Sequence, residues 1–248
     1  MSTTHILEKL RELRLSNMAA ALQQQLDQTT YLDQPFEQRL AMLVDAEANG
    51  RDNKRIGRLL KMAKLKFNAP PEDIIYRPDR MLDRSTMGEL LSNGWVSRKQ
   101  NILLTGPTGS GKSWLGCCLA TQAARHGHSI LYRRVNRLLE EMEISRADGS
   151  IMKLRQQFAK VRVMVLDDFG LTPLSATGRT DLLELLDDRV GAGSTVVIGQ
   201  LPTSKWHDFI NDPALADAIL DRLIHTAHKI ELKGESMRKL GAPEQIGR

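Results

Sequence analysis

The stretch that decides the fold lies at residues 101–116, which read NILLTGPTGSGKSWLG. A short apolar run comes first, a glycine-rich turn follows, and a segment with the composition of a helix comes after it. The turn matches the pattern G-x-x-x-x-G-K-[ST] in full. A turn of this kind between a buried strand and a helix predicts a loop that binds the phosphates of a nucleotide.

Each position of this loop has a chemical reason. The glycines allow backbone amides to face phosphate oxygens where a side chain would clash, and the helix N-terminus adds its positive end. Lys112 is expected to neutralise the β- and γ-phosphates, and the Ser113 hydroxyl to bind Mg²⁺. The sequence therefore predicts ATP and Mg²⁺ as cofactors. The predicted nucleotide-binding residues are Gly106, Pro107, Thr108, Gly109, Ser110, Gly111, Lys112 and Ser113.

Two carboxylates end the apolar segment RVMVLDDFG at residues 162–170. Ligands of open α/β sheets sit beyond the carboxyl ends of the strands, so Asp167 is expected to hold Mg²⁺, usually through water. Asp168 is expected to orient and deprotonate the attacking water. A solvated turn capped by two aspartates is the alternative. The second carboxylate favours ATP hydrolysis over nucleotide storage.

A polar residue also ends the run STVVIG at residues 194–199. Gln200 would lie beside the γ-phosphate and help to position water, unless it is an ordinary exit from a strand.

An arginine lies among apolar residues in the predicted helix at residues 213–224. Arg222 could reach the γ-phosphate held by a neighbouring subunit, or it could pair with Asp217, Asp221 or another acid. Arg238 is a further candidate for a phosphate contact within its own subunit.

Short apolar runs alternate with helical stretches after Lys99. Continuous apolar runs separated by helices indicate a parallel sheet that is buried on both faces. The predicted fold is therefore a doubly wound α/β domain with five parallel strands. The five runs are residues 101–105, 129–133, 161–166, 194–199 and 228–232.

The region before residue 69 is predicted to be helical. A second helix is expected to begin near Pro35 and to end at Asn49-Gly50, because these residue types favour helix termination. Its predicted apolar face consists of Phe36, Leu40, Leu43 and Val44. The prolines at residues 70 and 71 cannot continue a helix. The predicted organisation is a helical N-terminal domain at 1–68, a linker at 69–99 and an ATPase domain at 100–248.

A third predicted helix, at residues 51–67, is amphipathic and basic. Its cations recur at steps of three and four, so several share one face and could follow DNA phosphates without reading bases. A solvated helix face is the alternative. The candidate DNA-binding residues are Lys54, Arg55, Arg58, Lys61 and Lys64.

Composition agrees with an anionic partner. The net charge is +5 and the pI about 9.3, which favours nucleic acid. Cys117 and Cys118 are adjacent, so neither a disulfide framework nor a zinc pattern is available. The N-terminus has no apolar signal core, and no apolar run approaches the roughly 20 residues of a bilayer span. A cytoplasmic protein without membrane contact is expected.

The motifs together resemble the IstB-like ATPases, the AAA+ helper proteins encoded beside the transposase in one class of bacterial insertion sequence. The resemblance covers nearly the whole chain and includes KRIGRLLKMAKLKF before the phosphate loop. Within the ATPase region it rests on GPTGSGKS, VMVLDDFG, STVVIGQLPTSKWHDF, DAILDRLIHTAHKIEL and GESMRK.

The resemblance implies properties that the residues alone do not. The core should be an AAA+ domain that assembles as a homo-oligomer with ATP at subunit interfaces, and Arg222 should act on the neighbouring site. The family binds double-stranded DNA without strong sequence preference, assists target selection and stimulates its transposase. The chain ends at Arg248, soon after the fifth predicted strand, so a full helical lid around Arg238 is not expected.

Two other functions remain open at this level. A DnaC-type helicase loader shares the ATPase residues, and the genomic neighbour would discriminate it. A small-molecule P-loop kinase would act as a monomer and ignore DNA, which the basic N-terminal helix and Arg222 argue against.

Overall fold

The computed structural model describes residues 2–31 and 33–237. Helices come first along the chain, and strands alternate with helices after residue 101. The helices are α1 (Thr3–Glu12), α2 (Ser16–Asp27), α3 (Phe36–Ala63), α4 (Arg84–Leu91), α5 (Gly94–Ser97), α6 (Lys112–Arg125), α7 (Val135–Ala147), α8 (Ile151–Ala159), α9 (Ala176–Arg189), α10 (Trp206–Ile210) and α11 (Pro213–Ile224). The strands are β1 (Ile102–Thr105), β2 (Ile130–Arg134), β3 (Val163–Phe169), β4 (Ser194–Gly199) and β5 (His228–Glu231).

The sheet confirms the predicted fold class. Within the described residues it has five strands in the order β2-β3-β4-β1-β5, and every neighbouring pair is parallel. All residues of β1 and β4 are buried, as expected for central strands covered on both faces. Parallel strands direct their carboxyl ends to one edge of the sheet, so the loops after β1, β3 and β4 meet there.

The two faces of the sheet carry separate hydrophobic clusters. One cluster joins the sheet to α6 and to the segment before β1, and includes Leu119, Trp95 and Met87. The other joins the opposite face to α7, α9 and α11, and includes Leu138 and Leu185. The phosphate loop thus leads into a helix that is held by a continuous core.

The predicted stop at Asn49-Gly50 is wrong, because α3 continues through it to Ala63. A glycine inside a helix costs about 1 kcal/mol relative to alanine, so it needs a compensating contact. A β-carbon at Gly50 would lie 2.3 Å from Cγ of Asn17, so the missing side chain allows α2 to approach closely. The buried Glu47 carboxylate then accepts hydrogen bonds from the backbone amides of Asn17 and Met18 at 2.9 and 3.1 Å.

The predicted apolar face of this helix is only partly buried. Leu43 is buried, whereas the side chains of Phe36, Leu40 and Val44 are 68%, 43% and 50% exposed. The apolar face that this helix buries is therefore narrower than the apolar pattern predicts.

The chain divides into two compact units at residues 58 and 59, earlier than the predicted end of the helical region at residue 68. Ala63 and Ala69 are fully buried in the core of the second unit, which anchors the end of α3 there. The predicted linker also contains α4 and α5, and Trp95 of α5 is 1% exposed. Most of this segment is therefore part of the second compact unit.

No helix in the described part of the chain has the length and apolar character needed to cross a bilayer.

Candidate nucleotide-binding site

The phosphate loop has the backbone conformation that its glycines predict. Gly106, Gly109 and Gly111 have φ angles of +138°, +82° and +87°, which side chains disfavour. A β-carbon at Gly106 would lie 2.1 Å from the carbonyl oxygen of Leu232, beyond β5. These positions therefore need glycine for both conformation and space.

Lys112 and Ser113, which end the loop, both form hydrogen bonds within the site. Nζ of Lys112 donates to the carbonyl oxygen of Pro107 at 2.7 Å, so the lysine caps its own loop. Burial lowers the pKa of Lys112, and the nearby Asp167 and Asp168 carboxylates oppose that shift. Oγ of Ser113 donates to Oδ1 of Asp167 at 3.0 Å. The two segments expected to share one nucleotide are thus in direct contact.

Asp167 is a buried carboxylate at the end of the central strand β3, with 1% exposure. The pairing of β3 with β4 shifts register between Leu166 and Phe169, and such an irregularity redirects side chains at a strand end. Besides Ser113, the backbone amide of Asp168 donates to Oδ1 at 2.9 Å. The other oxygen, Oδ2, accepts a hydrogen bond from the hydroxyl of Tyr132 at 2.5 Å and lies 3.5 Å from Nζ of Lys66.

Tyr132 and Lys66 were not found from the sequence. Tyr132 lies on β2, opposite Val165 of β3, and the Asp167 carboxylate together with burial raises the pKa of its hydroxyl. A polar residue inside a buried strand was a usable signal for Tyr132. Lys66 gave no signal, because one lysine in a basic segment resembles the others.

Asp168 is less buried than Asp167 and has a different charged partner. Its φ is +62°, an uncommon value outside glycine and asparagine. Its carboxylate pairs with Nε of Arg134 at 3.4 Å, and 26% of the side chain is exposed. Arg134, which ends β2, was also missed by the sequence analysis. Asp168 nevertheless lines the space between the phosphate loop and Gln200 while it is paired with Arg134.

Gln200 lies against the phosphate loop. It follows β4 directly, and its Oε1 accepts a hydrogen bond from the hydroxyl of Thr108 at 2.9 Å. The polar end of β4 thus lies beside the loop, and the predicted role of Gln200 toward a γ-phosphate and water stays a prediction.

Arg222 lies on α11 and pairs with acidic residues of its own chain. Its guanidinium forms an ion pair with Asp187 of α9, lies 3.9 Å from Asp221 and donates to the Ala218 carbonyl at 2.9 Å. The side chain is 31% exposed. Within one chain, Arg222 therefore forms the ion pair with an acidic residue that was the alternative prediction, and Asp187 is its main partner. Arg238 lies outside the described residues.

The candidate DNA-binding residues are all exposed. Lys54, Arg55, Arg58 and Lys61 lie on α3, and Lys64 follows its end with a φ of +54°. Arg55 pairs with the exposed Asp52 at 3.3 Å. Exposed pairs of this kind contribute little to stability, so these cations remain available to a ligand.

Two cavities meet at the phosphate loop. The larger, of about 460 Å³, has Phe67, Ile75 and Trp114 as apolar walls, and the buried Arg80 and the loop as its floor. Arg80 supports that floor by donating to the Ser110 carbonyl at 3.2 Å. The smaller, of about 100 Å³, lies between the loop, the two aspartates and Gln200. Lys66 lines both.

The residues at the smaller cavity fit Mg²⁺. This ion prefers oxygen ligands and commonly uses one or two protein groups together with phosphate oxygens. The Ser113 hydroxyl and the Asp167 carboxylate are such oxygens and lie at hydrogen-bond distance from each other. The described residues contain no cluster of three or more His, Cys, Asp or Glu side chains that could hold a metal. Phosphate oxygens and water would complete the shell of a Mg²⁺ ion at Ser113 and Asp167.

This fold and this loop define a P-loop nucleotide-binding protein with a parallel α/β sheet. A sequence model of the family described as IstB-like ATP binding protein matches residues 8–243. The chain belongs to this family.

Relatives of similar length carry names from insertion sequences. Two proteins of Sinorhizobium fredii, named as insertion sequence ATP-binding proteins, are 41% and 42% identical over 94% and 97% of this chain, and over 95% and 97% of their own. A protein of Pseudomonas fluorescens, named as an ATP-binding protein of insertion sequence IS1162, is 47% identical over 82% of this chain and 89% of its own.

Solved structures show the same fold. The DnaC helicase loader superposes with a TM-score of 0.58 at 17% identity, and the match covers 69% of this chain and 100% of that one. AMPPCP-bound DnaA from Aquifex aeolicus has a TM-score of 0.58 at 18% identity over 71% of this chain. That match spans about half, 53%, of the DnaA chain. At these identities the likeness concerns the fold alone.

Proposed function

We propose that this protein is an ATPase that assembles on double-stranded DNA and assists a transposase in target selection and transposition. The observation that carries the proposal is the contact between Ser113 of the phosphate loop and the buried Asp167. This contact gathers a phosphate-binding loop and a metal-binding carboxylate at one point of a chain from an insertion-sequence family.

The nucleotide is expected to occupy both cavities. The base and ribose fit the larger one, between Phe67, Ile75 and Trp114, because such pockets are mostly apolar with a few polar groups. The phosphates would follow the loop toward the smaller cavity, where Lys112 turns from Pro107 to the β- and γ-phosphates. Mg²⁺, held by Ser113 and Asp167, would neutralise the phosphate charge that develops during hydrolysis.

Hydrolysis is assigned to three further residues. Asp168, released from Arg134, would accept a proton from the attacking water, and Gln200 would orient that water. Arg222 of a neighbouring copy would stabilise the charge on the γ-phosphate. Its exposure and its contact with Asp187, rather than with its own phosphate loop, support a role toward another subunit.

DNA binding is assigned to the cations along and after α3. Because these residues are exposed and follow one another at helical spacing, they suit phosphate contacts that do not depend on sequence. The full-length insertion-sequence relatives favour transposition over helicase loading, since the likeness to the DnaC loader is one of fold.

Electron microscopy of the protein with duplex DNA and AMPPCP tests the proposal. We expect a regular assembly on DNA that requires both ligands. Lys112→Ala should lower nucleotide affinity by at least about 100-fold, since it removes a buried charge partner, and should abolish the assembly. Binding to DNA by a monomer that ignores nucleotide would contradict the proposal.

Transposase assistance needs its own measurement. The purified transposase should insert its element into target DNA more often when the wild-type protein and ATP are present. Lys112→Ala should give the level seen without the protein. Equal insertion with both proteins would remove the transposition role and leave the ATPase assignment intact.

A further inference from the structure

We propose that Lys66 is a built-in counter-ion for Asp167, which takes the place of the metal in the nucleotide-free protein and withdraws when the Mg²⁺–nucleotide complex binds. The inference rests on the proposed binding of Mg²⁺ and ATP, and it adds a residue outside the loop and the strand ends. Its basis is the position of one ammonium group relative to one buried carboxylate.

The Asp167 carboxylate needs a cation. It is 1% exposed, so water cannot solvate its charge, and an uncompensated buried charge is costly. Ser113 and the Asp168 amide donate to Oδ1, and Tyr132 donates to Oδ2, but these donors are neutral. Nζ of Lys66, 3.5 Å from Oδ2, supplies a positive charge.

The backbone of Lys66 is fixed by its neighbours. Ala63 and Ala69 on either side are fully buried in the core of the ATPase unit. Burial raises the pKa of the Cys117 thiol on α6, and the nearby backbone amides of Lys66 and Phe67 oppose that shift. The side chain therefore starts from a fixed point beside the nucleotide site, although the segment has no regular secondary structure at this residue.

The side chain itself has room to move. It is 26% exposed and lines both the larger and the smaller cavity, so its ammonium can leave Asp167 without a change in the backbone. The ring of Phe67 lies 5.5 Å from the ammonium, within the range of an attractive cation–π contact. A lysine placed in this way can exchange one partner for another at small cost.

Mg²⁺ and Lys66 cannot both remain on the same carboxylate. The ion brings two positive charges to the Asp167–Ser113 oxygens, and two cations at this distance repel each other strongly in a partly buried site. The ammonium must therefore withdraw when the ion binds. Lys66 would thereby stabilise the empty site and raise the Mg²⁺ concentration needed to fill it.

Chemical modification of lysines in the wild-type protein tests the movement directly. The protein is treated briefly with an acetylating reagent alone, with AMPPCP and EDTA, and with AMPPCP and Mg²⁺, and Lys66 acetylation is measured by mass spectrometry. We expect acetylation of Lys66 to rise several-fold only when Mg²⁺ and nucleotide are both present. A decrease would mean that Lys66 contacts the phosphates, and no change would mean that it stays on Asp167; either result overturns the proposal.

A titration of Mg²⁺ at a fixed AMPPCP concentration, followed by the thermal midpoint of unfolding, tests the competition. Lys66→Met should lower the half-saturating Mg²⁺ concentration by about twofold to fivefold, the range expected for a partly exposed ion pair. Lys66→Arg retains the charge and should resemble the wild type. Lys153→Met, an exposed lysine on α8, controls for the lost charge.

An unchanged or increased Mg²⁺ requirement in Lys66→Met would contradict the proposal. The wild-type titration separates this result from a failure of the proposed function. If AMPPCP with Mg²⁺ does not stabilise the wild-type protein at all, the nucleotide site itself is refuted.

Discussion

Asp167 and Arg222 are both charged groups assigned to one reaction, but their surroundings differ. Asp167 is 1% exposed and is held by neighbours from the phosphate loop, β2 and the segment after α3. Arg222 is 31% exposed and is held by Asp187 at the surface. In the proposed site, a single chain would thus supply the residues for the phosphates and the metal, whereas its arginine lies in a pair that another copy could replace.

Replacement of Arg222 is expected to have the largest effect on ATP turnover. Arg222→Ala should reduce ATP turnover by about 1,000-fold, as the loss of an arginine from a phosphoryl-transfer site does, with little change in nucleotide affinity. Arg125→Ala, which removes a surface pair with Glu72, is the control. Steady-state phosphate release and AMPPCP titration measure the two quantities.

Mixing two inactive variants sharpens the comparison. Arg222→Ala retains a phosphate loop, and Lys112→Ala retains the arginine. If Arg222 acts on a neighbouring copy, their mixture should recover part of the turnover. A mixture as inactive as either variant would show that each chain needs its own Arg222.

On the aspartate side, Asp168→Asn should slow turnover by about 100-fold, because an amide cannot accept the proton. Nucleotide binding should persist, and the DNA complex formed with ATP should therefore be long-lived. Dissociation from labelled DNA after a chase, together with phosphate release, measures both effects. Unchanged turnover would exclude Asp168 from the reaction.

A smaller effect is expected at the end of β4. Gln200→Ala should lower turnover by about tenfold, since the attacking water loses one orienting group. Its contact with Thr108 also disappears, so Thr108→Val serves as a matched control for that hydrogen bond. Equal losses in both variants would assign the effect to the loop rather than to the water.

The smallest effect concerns the partner of Arg222. Asp187→Ala releases the arginine from a partly exposed pair, so the free energy change is small and turnover should rise by about twofold to threefold. The measurement is phosphate release at low protein concentration, where assembly limits the rate. A loss as large as that of Arg222→Ala would instead assign Asp187 to the site.

The predictable part of the site consists of contiguous motifs. The residues from Gly106 to Ser113 lie together because they are neighbours in sequence, and Asp167 joins them because parallel strands end at one edge of a sheet. Tyr132, Arg134 and Lys66 were missed, since each depends on which strand or segment lies beside β3. No local sequence pattern indicates which strand or segment will lie beside β3.

In the N-terminal helical region, by contrast, a local pattern predicted a helix end that the structure does not have. Asn49-Gly50 has the local composition of a helix end, yet α3 continues because Gly50 accommodates Asn17. Local propensities of about 1 kcal/mol are smaller than the packing of two helices, so tertiary contacts override them.

The sequence alone determined the phosphate loop, the acidic strand end and the class of parallel sheet, because glycine geometry, hydrophobic runs and strand direction are local or periodic properties. The tertiary structure alone decided that the segment after α3 belongs to the second compact unit, that a lysine from it faces Asp167, and that Arg222 pairs with Asp187. These contacts join residues far apart in the chain, and only the packing of the whole unit fixes which distant side chains meet.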